Sequence, residues 1–394
     1  MRSKFPALQH GTAFFDSPGG TQTPLAVGDA IRDALTQPVA NRGAVTQAER
    51  NATDIVNRCR SALGDFLNVA SDTIIFGRSA TALTFDLARV TSRAWRSGDE
   101  VVVTRLDHNS NVQPWLVAAE RTGAVVRWVD FDPVSGELPV AAVVEQLSDR
   151  TRLVAVTAAS NVIGTKPNII RIADAVHAVG ALLYVDGVHY SAHALVDVPS
   201  LGADFFTCSP YKFLGPHCAA VTGRLELLQA LSPDKVAVSP NAVPERFELG
   251  TLPYELMAGT AATIDFLADI APEGSTRRDR LESSMRAIDD HETGLREVIE
   301  GGLAQFEQIT VHSGAAERTP TLFISLNNRR EQHLSRFLAE RNINAPSGHF
   351  YAVDASQRLG LGDKGALRIG MAPYNSREDA DRLLNCVADF FSDA

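Results

Sequence analysis

Between about residue 50 and residue 230, short apolar runs alternate with stretches in which apolar residues recur at helical spacing. Six runs rich in β-branched or aromatic residues have the length of strands: TIIFG, EVVVTRL, AVVRWVDF, RLVAVTAAS, ALLYVDG and DFFTCS. Helical spacing covers roughly 48–68, 80–94, 110–122, 139–147 and 168–179. Strands that alternate with helices predict a largely parallel sheet covered by helices on both faces.

The pattern changes after the proline-containing loop SPDKVAVSPNAVP. Beyond it, the spacing predicts helices over 253–271, 275–301, 330–341 and 376–391, with strands around 308–313, 320–326 and 366–371. A chain of 394 residues exceeds the usual size of one hydrophobic core. We therefore predict a large α/β domain over 20–255, and a smaller α+β domain that combines 256–394 with the N-terminal segment 1–19.

Composition narrows the possible partners and the compartment. The formal net charge of -10 argues against nucleic acid as a partner, because phosphate binding needs clustered basic side chains. No run of about 18 apolar residues indicates a membrane span. The first residues lack a basic region followed by an apolar core and a cleavage site, so we expect a cytoplasmic protein. The four cysteines lack the close pairing of a zinc or redox site, and no metal site is predicted.

Polar residues follow several predicted strands at the point where each strand ends. The regions around Thr81, His108 and Asn161, and Asp186 itself, take such positions. In open α/β sheets ligands bind at the carboxyl ends of the strands. We therefore expect these residues to share one crevice.

Lys212 raises a separate question, because it is one of only five lysines and lies in a mostly apolar run shortly after Asp186. A buried ammonium is unfavourable unless it is paired or used chemically. A buried lysine often has a lowered pKa, which suits it to covalent chemistry with carbonyl groups. The residues alone leave both an Asp–Lys ion pair and a nucleophilic lysine open.

The chain resembles the class V aminotransferase group of fold-type I pyridoxal-phosphate (PLP) enzymes, which contains cysteine desulfurases and isopenicillin-N-epimerase-like proteins. The resemblance is carried by the order and spacing of fragments over nearly the whole chain: FFDSPGGTQTP, GRSATALTF, LDHNSNVQPW, SNVIGT, VDGVHYSAH, CSPYKFLGP, FELGT and LRIGMAPYNSREDADRLL. It implies a fold-type I architecture, PLP as the cofactor and an amino acid as the substrate.

The resemblance implies three catalytic residues. Lys212 would bond covalently to the cofactor and move the proton on the substrate Cα. Asp186 would keep the pyridine nitrogen protonated, so that the ring can accept electrons. His108 would stack on the ring.

The remaining cofactor contacts are also implied by the resemblance. His189 and Asn161 would contact the ring hydroxyl, although an asparagine also suits a turn after a strand. Ala80, Thr81 and Ser209 would contact the phosphate, since a helix N-terminus favours an anion; Ser79 or Thr81 could equally cap the helix. Tyr211 replaces a histidine that many relatives carry before the lysine. Gly250 and Thr251 would reach the phosphate of a neighbouring subunit, which implies a homodimer with shared sites.

On the substrate side, Arg368 matches the arginine that binds the α-carboxylate in relatives, a role suited to a planar bidentate donor. Asn41, Arg42 and Gly43 match a segment that closes over the pocket. Desulfurases carry their attacking cysteine in a stretch that aligns with APSGHFYAV, residues 345–353, where this chain has Tyr351. His349 and Tyr351 would shape the pocket, handle protons or simply pack.

These residues predict a PLP enzyme that acts through a Cα carbanion, with β-elimination from cysteine or an S-substituted cysteine as the expected reaction. Transamination, decarboxylation-linked deamination and racemisation remain open on the same scaffold. A protein with the PLP fold that only binds ligands is the third possibility, and the joint presence of Lys212, Asp186 and Arg368 argues against it.

Overall fold

The computed structural model describes residues 1–327 and 330–392. The strands are β1 Ala13–Phe14, β2 Ile74–Gly77, β3 Glu100–Thr104, β4 Val125–Val129, β5 Thr151–Thr157, β6 Leu182–Asp186, β7 Phe205–Cys208, β8 Ala219–Gly223, β9 Ile309–Val311, β10 Thr321–Leu326, β11 Ile343–Asn344, β12 Ser347–Gly348 and β13 Ala366–Gly370. All six strands predicted between residues 50 and 230 are present.

The α-helices of the described residues include every helix that the spacing predicted. They are α1 Leu25–Thr36, α2 Gln47–Leu67, α3 Ala80–Thr91, α4 Gln113–Thr122, α5 Val140–Val144, α6 Ile169–Ala178, α7 Tyr190–His193, α8 Val198–Leu201, α9 Leu225–Ala230, α10 Tyr254–Ala268, α11 Arg277–Leu303, α12 Glu331–Ala339, α13 Val353–Arg358 and α14 Arg377–Ser392. Local sequence sets several starts: Thr46 and Glu49 form a capping box at α2, and Ser79 caps α3.

The large sheet has seven strands in the order β2-β8-β7-β6-β5-β3-β4. Its pairs are parallel except where β8 lies antiparallel between β2 and β7. Alternate side chains of one strand enter different cores: Val102 packs with one cluster, while Val101 and Val103 pack with another. Both faces of the sheet are therefore buried, which explains why these strands read as continuous apolar runs. The predicted mostly parallel, helix-covered sheet is confirmed.

The second sheet is antiparallel, with the order β12-β13-β10-β9, and its core includes residues of α11, α12 and α14. β1 pairs in parallel with β11, and Asp16 forms an isolated bridge with Gly370. The N-terminal segment thus lies against the C-terminal elements. The division of the chain at residues 255 and 256 stays a prediction. No helix among the described residues combines the length and the apolar character needed to cross a membrane.

Candidate active site

The strand order brings the predicted polar residues to one edge of the large sheet. His108 follows β3, Asn161 follows β5, Asp186 ends β6 and Lys212 follows β7. Thr81 lies in the first turn of α3, which follows β2. Since these strands run in the same direction, their carboxyl ends meet at the same edge.

A cleft of about 620 Å³ opens at this edge. Its lining includes seven of the residues that the sequence analysis singled out: Thr81, His108, Asn161, Tyr211, Lys212, Tyr351 and Arg368. It also includes residues that the analysis did not assign to the site, among them Asp16, Pro18, Gly19, Phe85 and Phe350. The crevice expected from strand ends alone is therefore present, with further walls from the N-terminal segment and from residues 350–351.

Lys212 lies on the short turn after β7, and its ammonium nitrogen donates a hydrogen bond to the carbonyl oxygen of Pro18. The nitrogen also lies 4.6 Å from the centre of the Tyr211 ring. Burial, together with the charge of Arg368, lowers the pKa of Lys212 to about 7, although Asp16 and Asp186 oppose this effect. An amine with this pKa is available in its neutral, nucleophilic form near neutral pH.

Asp186 is buried, and one carboxylate oxygen accepts a hydrogen bond of 2.9 Å from the backbone N–H of Val188. Burial raises its pKa to about 6, while the Val188 N–H and the charge of Lys212 act in the opposite direction. A cationic partner beside this carboxylate would favour its ionised form.

The imidazole of His108 is held by Ser110. Its Nδ1 accepts the backbone N–H of Ser110 at 3.1 Å and lies 2.8 Å from the Ser110 hydroxyl oxygen. Burial and the charges of Lys212 and Arg368 lower the pKa of His108 to about 3. The ring is therefore neutral, and it can cover a flat ligand without adding a third positive charge to the cleft.

Asp107 supports the loop that carries His108, and the sequence analysis did not select it. Its carboxylate accepts hydrogen bonds from Thr104 Oγ1 at 2.5 Å and from Asn111 Nδ2 at 2.8 Å. Burial raises its pKa to about 8, and the nearby Asp186 adds to this shift. The only sequence signal was its place directly after a buried strand.

Three buried polar atoms of predicted site residues have no hydrogen-bond partner among the described residues: Asn161 Oδ1, His189 Nδ1 and Arg368 Nε. His189 Nε2 lies 3.0 Å from the hydroxyl oxygens of both Thr319 and Thr321. Buried polar groups are normally paired, so such orphans point to missing ligand groups. An acceptor on Asn161 and a ring nitrogen on His189 suit a phenolic hydroxyl such as that of PLP.

An anion can bind where α3 begins. The first N–H groups of a helix have no partner within the helix, and at α3 these belong to Ala80 and Thr81. Ser79 uses its hydroxyl to accept the N–H of Ala82 at 3.2 Å, and Thr81 lines the cleft. Ser209 is buried beside the turn that carries Lys212. The residues present therefore fit the phosphate as well as the ring hydroxyl of PLP.

Several predicted residues lie outside this cleft within the single chain. Arg42 pairs with Glu245 at 3.0 Å, and Asn41 is exposed. Gly250 and Thr251 are also exposed, and Thr251 lines a neighbouring depression that shares Thr81 with the cleft. His349 does not line the cleft; its Nδ1 accepts the N–H of Tyr351 at 3.1 Å. Their assigned roles stay predictions.

A sequence model of the class V aminotransferase family matches residues 13–383. The chain belongs to the class V aminotransferase family. An aminotransferase-like protein from Gibberella zeae is 32% identical, with 98% of this chain and 96% of the relative covered. A cysteine desulfurase from Dickeya dadantii is 30% identical, with 98% and 94% covered.

Solved structures agree with this assignment. The crystal structure of a cysteine desulfurase from Escherichia coli has a TM-score of 0.87 at 26% identity, covering 99% of this chain and 97% of its own. The apo structure of a cysteine desulfurase from Thermococcus onnurineus has the same fold, with a TM-score of 0.89 at 23% identity and coverage of 100% and 98%. The predicted fold-type I architecture, the enzymatic nature of the chain and PLP as its cofactor are confirmed.

Proposed function

We propose that this class V enzyme cleaves the C–S bond of cysteine or an S-substituted cysteine by β-elimination. The observation that carries the proposal is the composition of the cleft: Lys212 and Arg368 share it, and no cysteine is among its lining residues. Relatives named cysteine desulfurase support a sulfur-containing substrate. The residues of this cleft favour release of sulfur without its transfer to a protein thiol.

PLP, when bound, supplies a ring that accepts electrons from the substrate Cα. Four residues of the protein would then act on the substrate and the ring. Arg368 would hold the α-carboxylate, Lys212 would remove the Cα proton, Asp186 would keep a proton on the pyridine nitrogen, and neutral His108 would cover the ring. Asn161 and His189 would hold the ring hydroxyl, while Ala80, Thr81 and Ser209 would hold the phosphate and Tyr211 would flank the lysine.

Loss of the Cα proton and of the thiolate at Cβ leaves an enamine, which hydrolyses with one water to a keto acid and ammonia. The thiolate leaves with a proton as hydrogen sulfide or a thiol. No oxidant or reductant is needed, because elimination followed by hydrolysis balances without a net redox change. The side chain at position 351, where the resemblance places the desulfurase cysteine, is a tyrosine that is 69% exposed.

The buried cysteines support direct release of sulfur. Cys218 lies after the lysine turn, but its thiol is buried and lies 3.4 Å from Thr260 Oγ1. Burial raises the pKa of Cys218 to about 12, and burial also raises that of Cys208 to about 12. A nucleophilic thiol needs a populated thiolate and access to the substrate, and both residues lack these properties.

Mass spectrometry of the enzyme during turnover with cysteine and with S-methylcysteine tests the proposal. We expect equal amounts of keto acid, ammonia and hydrogen sulfide or methanethiol, and an enzyme of unchanged mass. A persulfide on Cys218, together with loss of activity in Cys218→Ser, would replace the proposal with a desulfurase that uses a relocated thiol. Products that retain the C–S bond would point to transamination, which the aminotransferase-like relative favours.

The proposal includes a cytoplasmic homodimer. Apolar side chains are exposed in the stretch that precedes Gly250 and Thr251 in the sequence: Val236 at 61%, Val238 at 91% and Leu249 at 61%. Burial of such residues in a subunit interface would be favourable. A partner subunit at this surface would bring its Thr251 toward the phosphate position, and the segment with Asn41 and Arg42 would close over the pocket. Sedimentation equilibrium should give twice the chain mass, whereas a monomer with full activity would contradict shared sites.

A further inference from the structure

Arg368 is fixed in the cleft from three directions. Its side chain is almost fully buried, at 2% exposure. One terminal nitrogen donates to the backbone carbonyl of Asn161 at 3.1 Å, and the other donates to the carboxylate of Asp16 at 2.6 Å. The Phe350 ring centre lies 3.6 Å from the guanidinium carbon. These contacts leave Nε as the donor without a partner among the described residues.

The backbone of Asp16 is held in place by its neighbours. Its backbone bridges Gly370, two residues beyond Arg368. Its carbonyl oxygen accepts the N–H groups of Gly19 at 2.9 Å and Gly20 at 3.1 Å. A Cβ atom on Gly19 would lie 2.3 Å from Asp16 Oδ2, so the carboxylate occupies space that only glycine leaves free.

The same N-terminal turn also reaches the lysine. Pro18, two residues after Asp16, accepts the hydrogen bond of the Lys212 ammonium. The carboxylate of Asp16 offsets part of the positive charge of Arg368, and it favours the charged forms of Lys212 and Arg368. A buried guanidinium that loses its carboxylate partner is strongly unfavourable and tends to move toward water.

We infer that Asp16 is a positioning residue that holds Arg368 in the orientation needed to bind the substrate α-carboxylate. The inference rests on the proposed role of Arg368. Asp16 accepts from one terminal nitrogen only, the adjacent Nε has no partner among the described residues, and Arg368 lines the cleft. Without the carboxylate, the backbone carbonyl of Asn161 and the Phe350 ring do not fix the rotation of the guanidinium group by themselves.

The test compares the binding of L-2-aminobutyrate and propylamine to the holoenzyme. These probes differ only in the carboxylate and carry no leaving group at Cβ, so β-elimination cannot occur, and the change in the visible spectrum on mixing reports binding. The quantity of interest is the ratio of the two dissociation constants. The variants are Asp16→Asn, which removes the charge, and Gly19→Ala, which displaces the carboxylate and keeps the charge.

Asp99→Asn is the matched control, because Asp99 is also a buried carboxylate that pairs with an arginine, Arg152, at 2.8 Å, but at the opposite edge of the sheet. We expect Asp16→Asn and Gly19→Ala to reduce the preference for the amino acid by at least about tenfold. Asp99→Asn should leave the ratio unchanged, and urea unfolding of each holoenzyme checks that the variants are folded.

Arg368→Ala separates the role of Arg368 from the role of Asp16. If it removes the preference while Asp16→Asn and Gly19→Ala do not, Arg368 binds the carboxylate without help from Asp16, and the inference is wrong. A stronger preference in Asp16→Asn would mean that Asp16 competes with the substrate, which also overturns the inference. If Arg368→Ala retains the preference, the proposed role of Arg368 fails, and the role of Asp16 fails with it.

Discussion

The partly buried amine of Lys212 should make the stability of the cofactor-free protein depend on pH. The perturbation is Lys212→Met, which keeps most of the length of the side chain and removes the charge. Burial and the charge of Arg368 lower the pKa of the amine from 10.5 to about 7. A tenfold change in proton affinity corresponds to about 1.4 kcal/mol, so the charged form is destabilised by at most about 5 kcal/mol.

The observable effect should be smaller, about 2 kcal/mol, because the side chain is only partly buried and solvent reduces such effects. The folded-state pKa lies below the unfolded-state pKa, so the unfolded chain binds more protons between pH 7 and pH 10.5. The unfavourable contribution of Lys212 is therefore complete below pH 7 and disappears as the pH rises toward 10.5.

Urea unfolding of the cofactor-free wild type and variant at pH 6 and at pH 9.5 measures this difference. We expect Lys212→Met to be more stable at pH 6, with a gap that narrows at pH 9.5. Lys364→Met is the control because Lys364 is exposed, and it should change the free energy of unfolding by less than about 0.5 kcal/mol at both pH values. If the difference in unfolding free energy between wild type and Lys212→Met is the same at both pH values, the lowered pKa of Lys212 is refuted.

Three further predictions concern the loaded enzyme. Lys212→Ala should lose all turnover and also the visible absorption band that borohydride bleaches, while PLP still binds through its phosphate. A variant that keeps this band would contradict the assignment of Lys212 as the residue that bonds to the cofactor. Arg368→Lys should lower kcat/KM nearly as much as Arg368→Ala, and the decrease should correspond to a loss of about 1.5–3 kcal/mol in transition-state binding. An unchanged kcat/KM in either variant would exclude the role of Arg368 in binding the carboxylate. The imidazole of His108, with its pKa held at about 3 by burial, should stay neutral from pH 5 to pH 9 in NMR spectra, and a titration within that range would show that the ring is open to water.

The sequence predicted the large sheet well because its strands are apolar on both faces and end in polar residues. Val101, Val102 and Val103 illustrate this, since neighbouring side chains enter different cores. The sequence pattern did not predict strand β8, because its sequence Ala219–Gly223 is short and rich in small residues. Its pairing with β2 joins residues that lie far apart in the sequence. The sequence pattern also did not predict helix α1, which begins after Pro24 with no side-chain cap.

The site residues divide in the same way into those that the local sequence identifies and those that only long-range contacts identify. His108, Asn161, Asp186 and Lys212 could be selected because each lies after a strand or carries a charge in an apolar run. Asp16 could not be selected in this way, although it lies in a fragment that carries the family resemblance. Its partner Arg368 is 352 positions away, and only the folded chain brings the two together.

The segment that contains Tyr351 is held by backbone contacts, which bear on the reaction together with the identity of its residues. Phe350 and Tyr351 have successive positive φ angles of 50° and 60°, a conformation that costs about 1–3 kcal/mol for each non-glycine residue. Asn109 donates its N–H to the Tyr351 carbonyl at 2.8 Å, and Asn161 Nδ2 donates to the Phe350 carbonyl at 3.0 Å. Because the Phe350 ring also packs on Arg368, the wall of the cleft and the proposed carboxylate site are held by the same contacts. Sulfur transfer needs a thiol that can approach the substrate and then withdraw, whereas this segment is fixed on both sides of the position where the family resemblance places the cysteine.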